Sequence, residues 1–77
     1  MRIEVLGALL GDQVLVKSVS LLGVTYEAKE ERIELMLKGI THVIDKPRKV
    51  SVQEDDGVVR AIEVVDGDER HQLLTFN

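Results

Sequence analysis

The chain contains no cysteine. That excludes disulfide staples, a thiolate metal cage and a thiol nucleophile, so packing alone must hold the fold, within one chain or across a subunit interface. Aromatic residues are nearly as scarce: Tyr26 and Phe76 stand alone, without tryptophan. Unpaired bases would find no stacking platform here. Cations are also in deficit, with 10 Lys and Arg against 14 Asp and Glu and a formal net charge of −4. Such a surface repels phosphate backbones and anionic bilayers, so neither nucleic acid nor membrane is expected as a partner. Apolar runs are far shorter than the ~20 residues of a spanning helix, and Met1-Arg2-Ile3-Glu4 puts charge where a leader would need apolar residues. The expectation is a cytoplasmic protein.

What is abundant is the β-branched residue. Twelve Val and five Ile stiffen the chain and favour a pleated surface. From Arg48 to Gln53, Val50 and Val52 alternate with Lys49, Ser51 and Gln53, the period of a half-buried strand. Asp56-Gly57 and Asp66-Gly67 follow at the spacing of one strand, and Asp-Gly between apolar runs marks a tight hairpin. Together with Val58 to Val65 and Gln72 to Phe76 they predict a C-terminal three-stranded meander. Val58 to Val65 is apolar on both parities, which predicts cover on both faces of that strand.

The N-terminal half reads less directly. Arg2 to Leu6 alternates as a strand, and Gly7 and Gly11 bracket a loop carrying Leu9 and Leu10. From Val14 to Tyr26 the apolar parity switches, so a continuous strand there must bend near Ser18 to Ser20 or at Gly23. Residues 27 to 40 fit two templates: Ile33, Leu35 and Leu37 alternate, while Ile33, Met36, Leu37 and Ile40 share one helical face. The expected fold is one all-β domain over residues 1–77, a small barrel or roll of about six mostly antiparallel strands. The alternative is α+β, with one helix near residues 27–38.

The series Val5-Leu6-Gly7, Leu22-Gly23-Val24, Arg32-Ile33-Glu34-Leu35-Met36-Leu37, Thr41-His42, Pro47, Asp56-Gly57, Ile62-Glu63-Val64 and Leu73-Leu74-Thr75-Phe76 resembles an uncharacterised bacterial family of small domains of unknown function. It runs along nearly the whole chain. The resemblance implies a bacterial origin and a β-rich fold, and it supplies no activity. Where members commonly carry a histidine three residues before the one matching His42, this chain has Gly39, and an aromatic-rich N-terminal segment common among them has no counterpart. A His-x-x-His metal site is weakened accordingly.

Polar constellations for chemistry are sparse. No Walker, dinucleotide or nucleophile-elbow pattern occurs, so no enzyme is expected. His42 and Asp45 would point to opposite faces of a strand, and zinc would need ligands gathered from distant loops. The acidic turns at Glu54 to Asp56 and Asp66 to Glu69 would lie ~25 Å apart along a strand, so they read as solvated turns rather than one calcium site. No metal or cofactor is expected. The polar residues left as ligand or partner contacts are His42, Lys46, Arg48, Lys49 and His71, where Lys46-Pro47-Arg48-Lys49 also suits protection of a sheet edge. Leu9, Leu10, Leu21, Leu22, Val59 and Val65 are the candidate interface residues. The expected function is a non-enzymatic protein-interaction module that pairs with itself as a homodimer or with another protein. The alternative is a small-ligand or metal-binding accessory domain.

Overall fold

The computed structural model describes residues 1–7 and 11–76. They form β1 (Arg2–Gly7), β2 (Gly11–Val16), β3 (Leu21–Glu27), β4 (Arg32–Leu37), β5 (Ile40–Asp45), β6 (Lys49–Asp55), β7 (Val58–Val65) and β8 (His71–Thr75). All pairings are antiparallel. One sheet runs β2-β1-β8-β7-β6 and the other β3-β4-β5. The all-β expectation and the C-terminal meander hold. The six-stranded barrel is corrected: eight strands form two open sheets, each with two free edges.

Two segments account for the extra strands. The bent strand expected over residues 14 to 26 is two strands in different sheets, divided at residues 17–20. That crossing is pinned by Met1, whose amino group donates to the Val19 carbonyl at 2.6 Å while the Val19 amide donates to the Met1 carbonyl at 3.2 Å. The alternative of a helix near residues 27–38 is corrected: a turn at 28–31 leads into β4, a strand as the alternation of Ile33, Leu35 and Leu37 suggests. Alternation prevailed because β4 lies between β3 and β5, with Leu35 and Leu37 buried on its inner side. The turn into it has neither glycine nor proline. It relies on Glu31 at φ 51° and on the Lys46 amide, which donates to the Glu31 carbonyl at 2.6 Å.

The meander is legible in the first of its turns, while the tight hairpin expected at Asp66-Gly67 is instead a longer loop of residues 66–70 with Glu69 at φ 61°. Asp56 and Gly57 take φ of 52° and 77° between the paired residues Asp55 and Val58, the two-residue geometry whose twist suits a hairpin. At the opposite end Gly67 meets the crossover between the sheets. Its amide donates to the Asp45 carbonyl at 3.1 Å, and an added Cβ would lie 2.8 Å from that of Lys46. A side chain is therefore excluded there.

Register shows how far the core extends. Directly paired residues share a face, so Val16, Ile3, Leu74, Ile62 and Val52 form one row across the inner surface of the larger sheet. Ile3 is fully buried and Leu74 is 3% exposed, Ile62 is half-buried, and Val52 at the β6 edge is 52% exposed. The next row, Val5, Gln72, Val64 and Val50, ends the same way, with Val64 at 1% and Val50 at 54%. In the smaller sheet the row Ile44, Ile33, Tyr26 runs from fully buried to 60% exposed. A bulge between Leu21 and Gly23 shifts the parity so that Val24 and Tyr26 fall on this inner face. The centre of the core is thus Ile3, Leu35, Ile44, Val64 and Leu74.

Replacing Ile44 by Ala should lower the unfolding free energy by about 2–5 kcal/mol, the range for emptying a filled core site. Ile62→Ala should cost less, since that side chain is half-buried. Urea unfolding curves of the two variants test this, and equal losses would misplace the core.

Candidate functional site

Gln72 and Asp66 are the buried polar residues among the described ones, each 5% exposed. Gln72 sits on the inner face of β8 between Val5 and Val64, where an unsatisfied amide would be costly. Its Nε2 donates to Asp66 Oδ2 at 2.9 Å. An ionised carboxylate only accepts, so this bond orients the amide and leaves Oε1 to receive His42 Nε2–H at 2.7 Å. His42 thereby donates through Nε2. The two bonds differ in reach: six residues separate Asp66 from Gln72 across the turn before β8, whereas 30 separate His42 from Gln72, and that contact joins β5 of one sheet to β8 of the other.

Asp66 anchors the chain of bonds. Its Oδ1 accepts the amides of Asp68 and Arg70, both at 2.9 Å. Burial acts to raise the Asp66 pKa, but the bonds from Gln72 and from the Arg70 and Asp68 amides, with the nearby Arg70 charge, hold it below the ordinary aspartate value. On the outer face the opposite holds at Glu4, where a hydrogen bond with Asp12, burial and the Asp12 charge raise the carboxyl despite Arg2.

Beside this chain lies a cleft of about 190 Å³, with His42, Gln72, Asp45, Asp68 and Arg70 on its polar side and Val5, Leu15 and Val43 among its apolar residues. It is smaller than the ~300 Å³ at which drug-sized pockets begin, so its scale suits a molecule of few atoms. His42 and Asp45 alternate across β5 as the sequence predicts, yet both border the cleft because β5 is an edge strand.

The other candidate contacts do not join His42. His71 faces outward from β8, with Nδ1 3.5 Å from Glu63 Oε1, so the five-stranded sheet separates the histidines. Lys46 is exposed at the crossover, and Arg48 and Lys49 are exposed at the start of β6, with the Arg48 amide donating to the Val65 carbonyl at 2.8 Å. Among the candidate interface residues, Leu9 and Leu10 lie outside the described residues. Leu21 is half-buried against the core, Leu22 is 69% exposed, Val59 is 38% exposed, and Val65 is half-buried beside Lys49 and His71. Sequence reasoning missed Gln72 and the burial of Asp66. The available signal is a polar residue at an inward strand position, Gln72 two residues before Leu74 on β8. Among the described residues no three His, Asp or Glu side chains are grouped to hold a metal ion.

A family model described as a family of unknown function, DUF5335, matches residues 1–77. The chain belongs to this family. An uncharacterized protein of Aquifex aeolicus (strain VF5) is 35% identical to this DUF5335 chain over 74 residues, covering 95% of it and 67% of the relative. No solved structure matches.

Asp66→Asn should destabilise the fold by about 1–3 kcal/mol near neutral pH, because an amide cannot accept from Gln72 Nε2 while serving the two backbone donors. The folded state holds the Asp66 proton less tightly than the unfolded chain. Its stabilisation is therefore complete above the ordinary value near about 3.9 and is lost as pH falls through the lowered folded value. Urea unfolding of wild type and variant should show a difference that shrinks in acid. A difference independent of pH would show that the Asp66 charge contributes nothing.

Proposed function

We propose that this chain is a non-enzymatic protein-interaction module whose first partner is a second copy of itself. The observation that carries this reading is the bare part of the inner surface. Val24, Tyr26, Val50 and Val52 share faces with the core, yet are 58%, 60%, 54% and 52% exposed. Scattered apolar side chains on an outer surface need no explanation, but core-facing rows that run out of cover are what a partner completes. Val59 adds to it: past the bulge it pairs with Glu54, on the face of Val50 and Val52, and is 38% exposed.

A second reading, a small-ligand accessory domain, is favoured by one feature, the cleft bordered by His42, Gln72, Asp45 and Arg70. Native mass spectrometry of protein purified without added ligand separates the two. An adduct that His42→Ala removes would support the ligand reading, and bare subunits would count against it.

Self-association is tested by sedimentation equilibrium at micromolar concentrations. A dimer is expected, and Tyr26→Lys or Val52→Lys should weaken it by about tenfold or more, ~1.4 kcal/mol or beyond, with little loss of monomer stability because both side chains are exposed. A wild-type chain that stays monomeric throughout would overturn the proposal.

A further inference from the structure

The exposed row ends at β6, and the charges of that strand indicate how a second copy meets it. We infer that two chains pair β6 to β6 in antiparallel fashion about a two-fold axis at Val52, making one continuous sheet from their two five-stranded sheets. This rests on the self-association reading above and gives it a geometry.

β6 is a free edge of seven residues, Lys49–Asp55, bonded to β7 on one side. Natural edges are usually blunted by proline, bulges or inward charge. Here the residues from Val50 to Gln53 are uncharged, Pro47 precedes the strand, and the bulge falls in β7, where Gln53 and Glu54 pair with Ala61 and Val59 and leave Arg60 over. The other edge of that sheet is different. β2 carries its own bulge, since Ile3 and Glu4 pair with Val16 and Val14 and leave Leu15 over.

Charge selects the orientation. Arg48 and Lys49 stand at the start of β6, and Glu54 and Asp55 at its end. All four are exposed, and none forms an ion pair among the described residues. A parallel pairing would set like ends side by side. Antiparallel pairing sets the basic start of one copy against the acidic end of the other, twice per dimer, and opposite charges facing across strands are favourable. With Val52 on the axis, Lys49 faces Asp55 and the whole strand is used.

Parity selects the register. Pairing even positions with even positions continues the inner surface of one copy into that of the other: Val52 faces Val52 across the axis with the two Val50 side chains diagonal to them, and Glu54 faces Val50 at each end of this apolar strip. A slip of one residue would oppose them to Ser51 and Gln53 and turn the second copy over. No residues of β3 or β5 offer this pattern: Glu27 is the charged residue within β3, and Asp45 the one within β5.

The test uses two variants, Arg48→Glu with Lys49→Glu, and Glu54→Lys with Asp55→Lys, analysed singly and as a mixture by native mass spectrometry and sedimentation. Each alone should dimerise about tenfold or more weakly than wild type, because like charges then face each other at both ends. The equimolar mixture should form the mixed dimer at near wild-type strength, with opposite charges restored at both ends. If both variants dimerise like wild type and mix at random, or the mixture gives no mixed dimer, β6 pairing is overturned while self-association stands. A monomeric wild type would instead remove the reading on which it rests.

Discussion

The smaller sheet is too narrow for the larger one. With neighbouring strands ~4.8 Å apart, five strands span ~19 Å between their outer members and three span ~10 Å, so roughly half of the larger inner surface can be covered by the chain itself. A domain of 77 residues has little apolar area to spare. The consequence appears as a gradient along each cross-strand row, from fully buried Ile3 to half-exposed Val52 and from fully buried Ile44 to exposed Tyr26. Cover is concentrated at one place, and the apolar residues beyond it remain in water.

Where the cover sits is set by polar atoms. The line from Asp66 through Gln72 to His42 is satisfied only when β5 lies over β8, and Gly67 holds the same end of β5 through the Asp45 carbonyl. Hydrophobic packing is tolerant of sliding, whereas a buried amide with one geometry that satisfies both its ends is not. From this anchor β3 lies two strands away in one sheet and β6 two strands away in the other. Both leave core-facing residues bare, Val24 and Tyr26 in β3 and Val50 and Val52 in β6. The anchor and the exposed strips are therefore two consequences of one offset between the sheets, and a partner that covers the strips completes the sandwich without moving the anchor.

Local features of this arrangement were legible in the sequence, and non-local ones were not. Asp56-Gly57 announces its hairpin because the backbone geometry needs those residue types, and the alternation around Val50 and Val52 announces a strand. The same alternation suggests half-burial, and the structure leaves both valines exposed, because burial depends on what lies opposite. The turn at 28–31 carries no glycine or proline and was hidden for that reason, its conformation coming from a bond to Lys46 across the chain. The parity switch within residues 14 to 26 was visible and its positions were right. It marks both a change of sheet at 17–20 and a bulge at Leu21 to Gly23. Of the candidate site, His42 was identified from its side-chain chemistry, but Gln72 and Asp66 become significant only when two distant segments meet.

Hydrogen exchange of the wild-type chain across a range of concentrations tests most directly whether the bare strips are covered by another copy. Amides of β8 and β4, which have neighbours on both sides, should exchange slowly at every concentration, while the β6 amides that point away from β7 should pass from rapid exchange in dilute solution to protection as the concentration rises. Protection in β6 that is the same at all concentrations would contradict this, and would mean that the half-covered sandwich is the complete structure.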